Sequence, residues 1–349
     1  MTDTPPDRSR GSIRVARSLW YTGPGEAQIR TERLAPAPPD WLTIETHYSG
    51  ISRGTERLVS SGHVPQSEWQ RMRAPFQSGD FPFPVKYGYS AAGVVVDGPA
   101  EWIGRNTFAL HPHQDVISLP ASSVTLLPDG VPLKRATLAA NMETALNAIW
   151  DSEAGPGDTI VIVGGGVVGL LIAFLAARLP GAQVQVIDID ENRRTAAAEL
   201  GASFAMPSDA GTSASQDGYE ATANADVVFH TSGSEAGIAA SINACGFEAT
   251  LVEISWYGDQ MINVHLGGPF HAKRLRLISS QVGHVAARRR ARWSHTRRLK
   301  TAAGLLCDPR LDTLVGPTIN FAAVPEHLAE MLNGSGGSVS SVIAYPAAT

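Results

Sequence analysis

The 349-residue sequence predicts an α/β protein in which a doubly wound parallel sheet is joined to a β-rich part. Residues 159–163 form a short, β-branched apolar run, which is typical of a strand buried on both faces. A glycine-rich turn and an apolar helix pattern follow it directly, and strand and helix patterns then alternate as far as about residue 283. Residues 13–130 carry short alternating runs separated by turn residues, so a β-rich part precedes the sheet.

The elements of the β-rich part follow from its alternation and its turn residues. The segments IRVARSLWYT and EAQIRTERL predict a hairpin around residues 23–25, and DWLTIETHYSGIS, SAAGVVVDG and FALHPHQDVISLP predict further strands. Residues 61–84 are rich in Pro, Gly and aromatic residues. We expect a long loop or a short helix beside a cleft there, because structureless segments of that size are usually functional. Residues 1–12 predict a disordered arm.

The elements of the second part are predicted in the same way. Residues 136–150 have helical periodicity and link the two parts, while helices are expected over residues 191–200, 234–246 and 286–306. The segments ADVVFHTSG, ATLVEISWYG and KRLRLISSQVG predict strands, and the tail predicts a helix and a closing strand that returns to the first part. We therefore predict one domain from residues 13–135 with 310–349, and another from residues 136–309.

The glycine-rich turn, GGGVVG at residues 164–169, predicts a dinucleotide site of the Rossmann type. Gly164 allows a tight turn, Gly166 lets the backbone approach a pyrophosphate, and Gly169 lets the helix pack against the sheet. The helix begins at Val167 and Val168, whose free N–H groups would face the phosphates. The next strand ends at Asp188, nineteen positions after Gly169, where a carboxylate would bind the adenosine ribose and favour NAD over NADP. Arg193 follows at the start of the next helix and joins the predicted cofactor set; the alternative is a glycine-rich turn in some other α/β domain.

Bulk composition excludes several classes of protein. The net charge is −5, from 28 basic and 33 acidic residues, so neither nucleic acid nor an anionic membrane is an expected partner. No apolar run has the length that a bilayer requires, and the first residues lack the apolar core of a secretory signal. The two cysteines, Cys245 and Cys307, exclude a four-cysteine zinc site and fit the cytoplasm. A small-molecule substrate is therefore expected.

Three segments carry a family resemblance. SGIS at residues 49–52, GYSAAGVV at 88–95 and AGPGDTIVIVGGGVVG at 154–169 resemble motifs of the medium-chain dehydrogenase/reductase superfamily, of the alcohol dehydrogenase type. The resemblance implies a GroES-like catalytic domain, a Rossmann domain and a homodimer formed through edge strands. Residues 51–65 are also similar to hydroxyethyl-bacteriochlorophyllide dehydrogenases, but this local similarity does not specify a substrate.

The sequence departs from that family where a catalytic zinc would bind. Ser52 stands at the position of a Cys ligand, Tyr89 and Ser90 at those of a His and a Glu, and Ala140 or Asn141 near that of the last Cys. None of these is a good zinc ligand, so we predict a zinc-independent protein with no metal site.

One other metal candidate is present in the sequence. His111 and His113 are followed by Gln114 and Asp115. Two loop histidines without a third strong ligand are more often surface or hydrogen-bonded residues, and that is what we expect here.

Without zinc, side chains must receive the hydroxyl proton during hydride transfer. The resemblance places Tyr89 in the former ligand position, facing the nicotinamide, and makes it the first candidate for this relay. Positive charge on the oxidised nicotinamide, Lys86 or Arg53 would favour its phenolate. The alternative is that Tyr89 only packs against the cofactor.

Neighbouring side chains complete the predicted catalytic set. Ser52 and Thr55 would orient the substrate or pass a proton, although backbone capping explains such hydroxyls equally well. Glu56 matches an acid that supports the ligand shell in zinc relatives. Arg53 would contact pyrophosphate or an acidic substrate, or lie solvated in its loop.

The resemblance also implies residues at the nicotinamide end. His230 ends a strand, and the following Thr231, Ser232 and Gly233 are predicted to meet the nicotinamide ribose. Trp256 and Tyr257 end the next strand, and Ser280 and Gln281 the last, where they would flank the nicotinamide or pack a dimer. Glu143 would face the cleft or lie on a helix surface. The predicted substrate contacts are Arg53, Glu143, Trp256, Tyr257 and Gln281.

The basic run RRRARWSHTRR at residues 288–298, with Lys300, is the chain's single charge cluster. It predicts either a solvated helix face or a site for a carboxylated or phosphorylated substrate.

These observations favour an NAD-dependent oxidoreductase that interconverts a secondary alcohol and a ketone. The long segment 61–84 and its aromatic residues indicate a bulky or heteroaromatic substrate in an apolar-walled cleft. Two alternatives remain at this point: an NADPH-dependent reductase of conjugated C=C bonds, which Asp188 opposes, and a catalytically silent dinucleotide-binding sensor.

Overall fold

The computed structural model describes residues 14–207, 224–334 and 338–346. The predicted disordered arm at residues 1–12 lies outside these ranges. The described chain forms three sheets, of which two belong to the β-rich part and one is entirely parallel.

The predicted hairpin opens the β-rich part, where Gly25 adopts a φ of +71° in its turn. Its strands continue into a small sheet of order β2-β1-β5-β4. A seven-stranded sheet of order β16-β17-β3-β6-β7-β9, with β8 also paired to β3, forms the rest. The strands are β1 Val15–Gly23, β2 Glu26–Arg33, β3 Trp41–Ile51, β4 Ser78–Gly79, β5 Val85–Lys86, β6 Ala91–Asp97, β7 Asn106–Ala109, β8 Val116–Pro120, β9 Val124–Leu126, β16 Thr318–Asn320 and β17 Ser341–Ala344.

The parallel sheet has the order β12-β11-β10-β13-β14-β15, which is that of a doubly wound dinucleotide fold. Its central strand β10 is almost wholly buried, as the apolar run 159–163 predicts. The six strands are β10 Thr159–Val163, β11 Gln183–Ile187, β12 Ser203–Ala205, β13 Ala225–His230, β14 Cys245–Glu253 and β15 Arg276–Ser279.

Helices cover the parallel sheet and connect the two parts. The segment 61–84 is mostly irregular, with a single 3-10 turn at Gln66–Glu68, as expected. The predicted helix over 286–306 is too long, because the helix begins at His295, where the Ser294 side chain accepts a hydrogen bond from the Arg297 N–H. The helices are α1 Arg53–Ser60, α2 Leu133–Ala136, α3 Ala139–Ser152, α4 Val167–Ala176, α5 Arg193–Glu199, α6 Glu235–Ala244, α7 His295–Leu305 and α8 Val324–Asn333.

The closing strand returns to the first part of the chain, as predicted. β17 pairs antiparallel with β3, and Ser341 lies opposite Ile51. The end of β3, the start of α1 and the C-terminal segment therefore meet at one place. Sequence patterns did not predict α1, which occupies the expected loop after β3.

Candidate active site

The glycine loop between β10 and α4 has the geometry that its spacing predicts. Gly164 has a φ of +112°, which favours glycine, and an added β-carbon at Gly169 would overlap the Gly164 carbonyl oxygen. These two glycines are therefore required by the turn and by helix packing. No atom lies within 4 Å of a β-carbon built on Gly166, so the backbone there is open to a ligand. Val167 and Val168 form the first turn of α4 behind it.

Asp188 follows the end of β11 and faces this loop. Its Oδ2 accepts a hydrogen bond of 2.5 Å from the Gly165 N–H, and its Oδ1 accepts one of 2.8 Å from the Asp190 N–H. Carboxylate oxygens have further lone pairs, so both bonds leave capacity for a ribose hydroxyl. Arg193 is close by and pairs with Asp190 at 3.0 Å. The structure therefore brings the predicted cofactor residues of the loop and of β11 to one edge of the sheet.

The segment after β13 closes the same edge. The Thr231 hydroxyl donates a hydrogen bond of 2.7 Å to the Gly164 carbonyl oxygen and so fixes the glycine loop. Gly233, with a φ of +64°, donates its N–H to the Ser255 hydroxyl at 3.0 Å. The Ser232 hydroxyl is exposed and lies 2.7 Å from His230 Nε2.

A cleft separate from the glycine loop lies where β3 ends. It is small, with a volume of about 10 Å³ that holds roughly one water molecule, and it is rich in hydroxyl groups. Three residues that stand at zinc-ligand positions of the resembling family, Ser52, Ser90 and Asn141, line this cleft. They are up to 89 positions apart in the chain. The complete lining is Gly50, Ile51, Ser52, Ser90, Thr137, Leu138, Asn141, Ser340 and Ser341.

These side chains do not fit a zinc ion. Hydroxyl and amide groups are poor ligands for zinc, which binds Cys, His, Asp and Glu. Ser90 donates its hydroxyl to the Thr137 carbonyl at 2.5 Å. Within residues 14–207, 224–334 and 338–346, no three His, Cys, Asp or Glu side chains are grouped so that they could hold a metal.

Tyr89 stands beside this cleft, hydrogen-bonded to Ser52 and Thr55. Burial raises the pKa of Tyr89 to about 12; the Ser52 and Thr55 hydrogen bonds oppose the shift and the Glu56 charge adds to it. The expectation that neighbouring cations favour phenolate is wrong for Lys86. Its buried ammonium donates to Glu32 at 2.8 Å and to the Gln114 amide oxygen at 3.0 Å instead.

Arg53 is likewise bound by the protein itself. Its guanidinium donates to the carbonyl oxygens of Met331 and Ser338 at 3.1 and 2.7 Å, and to the Ser341 hydroxyl at 3.0 Å. Bonds to Val339 and the Ser338 hydroxyl use its remaining donors. The prediction of a solvated loop arginine is therefore wrong, and a ligand would have to compete with these bonds.

Glu56 is the centre of a fully buried polar network beneath the cleft. Its carboxylate accepts hydrogen bonds from the Tyr21 hydroxyl at 2.7 Å and from the Ser52 N–H at 2.8 Å. His113 Nε2 lies 2.9 Å from the same carboxylate, so it carries the proton. The Ser49 hydroxyl bonds the other ring nitrogen at 2.7 Å and Tyr345 at 2.8 Å. Glu56 thus supports Ser52 from below.

The sequence indicated only part of this network. His113 is a hydrogen-bonded histidine, as expected, and burial lowers the pKa of His111 to about 3. Tyr21, Ser49 and Tyr345 were missed, because they come from β1, β3 and the C-terminal segment and share no local motif. The alignment of Glu56 with a supporting acid was the one signal that pointed to the network.

The prediction that Glu143 faces substrate is wrong. Its side chain is 6% exposed and pairs with Arg298 of α7 at 2.9 Å. Burial raises the pKa of Glu143, while the Arg298 charge opposes the shift. Arg298 is 1% exposed and also donates to Asn147 at 2.5 Å and to the Val282 carbonyl oxygen. The pair joins α3 to α7 and is not available to a ligand.

The rest of the basic run is largely solvated. Arg288 pairs with Glu153 at 2.7 Å, and the Arg297 guanidinium lies 3.9 Å from the centre of the Trp293 ring. Lys300 is exposed. A solvated face therefore describes this run except at Arg298.

The other predicted substrate residues lie at the ends of β14 and β15. Trp256 is partly buried against the core that also contacts Tyr89, and Tyr257 donates its hydroxyl to Glu253 at 3.1 Å. Gln281 is exposed and accepts the Gly283 N–H at 2.7 Å, while Ser280 donates to Asp151 at 2.7 Å. Trp256 therefore packs against the same apolar cluster as Tyr89.

Comparison with known proteins gives a consistent family. Residues 167–299 match the family model described as zinc-binding dehydrogenase. The chain is 31% identical over 175 residues to 2-dehydro-3-deoxy-L-galactonate 5-dehydrogenase of Pseudoalteromonas atlantica, an alignment that spans 48% of this chain and 49% of that one. It is 25% identical over 307 residues to D-guloside 3-dehydrogenase of Escherichia coli, covering 82% and 87% of the two chains.

The fold is shared with solved structures. A protein of Sinorhizobium meliloti 1021 described as a zinc-binding dehydrogenase and bound to NADP superposes with a TM-score of 0.73 at 17% identity, covering 95% of this chain and 99% of that one. Among the helices that the structure describes, none combines the length and hydropathy needed to cross a membrane.

The chain therefore contains a doubly wound parallel sheet with a glycine loop of the dinucleotide-binding type, joined to a β-rich part. The chain is similar to zinc-binding dehydrogenases over residues 167–299 and to a curated dehydrogenase over 82% of its length, and it shares its fold with a solved structure of this kind.

Proposed function

We propose that the protein is an NAD-dependent dehydrogenase that interconverts a secondary alcohol and its ketone without zinc. The observation that carries this proposal is the cleft at Ser52, Ser90 and Asn141, where hydroxyl and amide groups occupy the positions of the metal ligands. The glycine loop beside the parallel sheet keeps its full geometry.

The cofactor would be held by the edge of the parallel sheet. Open backbone at Gly166 and the first turn of α4 suit a pyrophosphate, and Asp188 suits the adenosine ribose. Bound NAD supplies the hydride acceptor. The carboxylate of Asp188 would repel a 2′-phosphate, which supports NAD, although a relative of the same fold binds NADP.

The substrate oxygen would be bound by Tyr89, Ser52 and Thr55. A phenol with a pKa of about 12 is protonated at neutral pH, so Tyr89 can donate a hydrogen bond to a carbonyl oxygen and pass it a proton. In alcohol oxidation the proton would move in the opposite direction, from the substrate hydroxyl to Tyr89. The positive charge of the oxidised nicotinamide would lower the pKa of the phenol for this step. Glu56 holds Ser52 in place for this step.

The lining of the cleft supports a hydroxylated substrate. Ser52 and Asn141 line the cleft and can hydrogen-bond a substrate hydroxyl, which suits a sugar-like secondary alcohol. The other lining hydroxyls donate to backbone carbonyl oxygens of the protein: Ser90, Thr137, Ser340 and Ser341. The names of both relatives refer to sugar derivatives. We therefore place such substrates before the bulky aromatic ones that residues 61–84 predict.

A homodimer through β15 is part of the proposal. β15 ends the parallel sheet, and Leu277 on this strand is 41% exposed. An edge strand with an exposed apolar side chain is suited to pairing with a second copy. Sedimentation of the Leu277→Arg variant, expected as a monomer, would test this.

Cofactor binding and metal content test the central proposal. Calorimetry should give tighter binding of NADH than of NADPH, and Asp188→Ser should reduce this difference by at least about tenfold, since each 1.4 kcal/mol corresponds to a factor of ten. Glu191→Ser, an exposed carboxylate three residues further along that pairs with Arg194, is the matched control and should retain the preference. An unchanged preference in Asp188→Ser would exclude the assigned role of Asp188. One tightly bound zinc per purified chain would refute the metal-free mechanism.

A further inference from the structure

The ends of β13 and β14 carry a second group of polar side chains, separate from the cleft at Ser52. His230 Nδ1 lies 2.7 Å from Glu253 Oε2, and His230 Nε2 lies 2.7 Å from the Ser232 hydroxyl. A serine, a histidine and a carboxylate in this order form the arrangement by which hydrolases activate a hydroxyl group. The motif is recognised by geometry, and nothing in the local sequence predicts it.

The hydrogen bonds define the protonation state of this group. Glu253 accepts from the Ser255 N–H at 2.8 Å and from the Tyr257 hydroxyl at 3.1 Å, as an ionised carboxylate does. Burial raises the pKa of Tyr257, and the Glu253 charge adds to the shift, so the phenol stays protonated. His230 must therefore donate from Nδ1 to Glu253, and its Nε2 lone pair accepts the Ser232 proton. This is the tautomer that a general base requires.

Packing holds the three groups in place. The His230 side chain is fully buried and Glu253 is 16% exposed, while Ser232 reaches solvent. A β-carbon added to Gly237, in the first turn of α6, would overlap Ser232 Oγ and lie 2.7 Å from His230 Nε2. Ser232 Oγ is thus seated against the N-terminal turn of a ten-residue helix, whose dipole favours negative charge developing there.

A second hydroxyl completes the chain of bonds. Ser234 accepts the Gly237 N–H at 3.0 Å, so its own hydroxyl is free to donate to Ser232 Oγ at 2.9 Å. Every bond then runs in one direction, from Ser234 through Ser232 and His230 to Glu253. Ser232 is an exposed residue, and its hydroxyl is paired with His230 Nε2.

We propose that Ser232, His230 and Glu253 form an acyl-transfer site that accepts activated esters of small carboxylic acids. Ser232 Oγ bonds to the carbonyl carbon, the bond from that carbon to the leaving oxygen breaks, and the Oγ proton passes through His230 Nε2 to the leaving group. Water then attacks the acyl-serine, gives its proton to His230 Nε2, and Ser232 recovers a proton as the carboxylic acid departs. Glu253 is a positioning residue that holds the histidine tautomer.

The experiment uses the full-length protein and two probes, p-nitrophenyl acetate and a small fluorophosphonate, with mass spectrometry of the labelled peptide. We expect the fluorophosphonate to label Ser232, and Ser232→Ala to abolish both labelling and ester hydrolysis at this site. His230→Gln should slow labelling by about 10²–10⁴-fold, the usual contribution of a general base. Glu253→Gln should slow it as well, because an amide can donate to Nδ1 and reverse the tautomer.

Gly237→Ala gives a sharper test, because it adds one methyl group and no polar atom. A β-carbon there displaces the Ser232 hydroxyl, so labelling should fall while the fold is retained. Gly304→Ala in α7 is the matched control, since nothing lies within 4 Å of its β-carbon. No labelling of the wild-type protein, or equal rates in wild type, His230→Gln and Gly237→Ala, would overturn the proposal.

Protection by NADH separates this inference from the proposed function. Ser232 lies in the segment predicted to meet the nicotinamide ribose, so NADH should block labelling if both proposals hold. Labelling that NADH does not affect would support the acyl-transfer site and contradict the cofactor role of Ser232.

Discussion

The Glu143–Arg298 pair gives the most direct test of whether a residue stabilises the fold or contacts the substrate. The sequence predicts that Glu143 contacts the substrate. In the fold its side chain is 6% exposed and is paired with Arg298, whose side chain is 1% exposed. Arg298→Met keeps the apolar length of the side chain and removes the charge. Because Glu143 is then left as an unpaired buried carboxylate, we expect a loss of about 3–5 kcal/mol in the free energy of unfolding.

The dependence of this loss on pH has a defined sign. Burial raises the pKa of Glu143 in the folded state above its value in the unfolded chain. Protonation at lower pH removes the buried charge and therefore stabilises the folded state relative to the unfolded state. Without Arg298 the pKa rises further, and the folded variant takes up its proton at a higher pH than the wild type does. The deficit of Arg298→Met should therefore shrink as the pH falls from about 8 to about 5.

Urea unfolding followed by tryptophan fluorescence measures these differences. The double variant Glu143→Gln with Arg298→Met removes the buried charge and should recover a large part of the stability at neutral pH. Arg297→Met, at the neighbouring exposed position, is the control and should cost no more than about 1 kcal/mol. A loss below about 1 kcal/mol for Arg298→Met would refute the structural role. So would a Glu143→Gln variant that loses turnover with unchanged stability.

Three further outcomes are expected. Tyr89→Phe should lower kcat for ketone reduction by about 10²-fold or more while leaving NADH affinity unchanged, and full activity in steady-state assays would reduce Tyr89 to a packing residue. Gly169→Ala should cost about 1–3 kcal/mol in chemical denaturation, because its β-carbon overlaps a backbone carbonyl, whereas Gly166→Ala should keep the stability and lose NADH affinity in calorimetry. Glu56→Gln should destabilise the fold by about 1–3 kcal/mol, since three donors converge on the carboxylate; a variant as stable as the wild type in urea would contradict this.

The two proposed chemistries use different groups of polar side chains. Around Ser52, hydroxyl groups converge on a polar cleft beside a phenol that stays protonated at neutral pH. At Ser232, a hydroxyl is paired with a histidine whose Nε2 accepts its proton. The first arrangement suits proton donation to a carbonyl oxygen, and the second suits removal of a proton.

The positions of many strands along the chain were accessible from the sequence because they depend on short-range patterns. Alternation predicted the hairpin of β1 and β2, and apolar β-branched runs predicted β10 and its parallel neighbours. The start of α7 was harder to predict. Arginine has a high helix propensity, so the arginines that precede Ser294 continue the helical pattern across the N-cap at that serine.

The roles of charged residues were harder to predict for a physical reason. Whether a basic side chain is solvated, as Lys300 is, or buried, as Arg298 is, depends on partners supplied by distant elements. Lys86 and Arg53 show the same effect, since their partners come from β2 and from the C-terminal segment.

The sequence by itself determined the dinucleotide-type sheet, the glycine loop and the lack of zinc ligands at Ser52, Tyr89 and Ser90, because each depends on residue type and local spacing. Only the tertiary structure decided that His113 and Glu56 share a buried network, and that Ser232, His230 and Glu253 form a triad. Hydrogen bonds of 2.7–2.9 Å between residues 23 and 57 positions apart require distant elements to be brought together, and side-chain spacing along the chain carries no information about that distance.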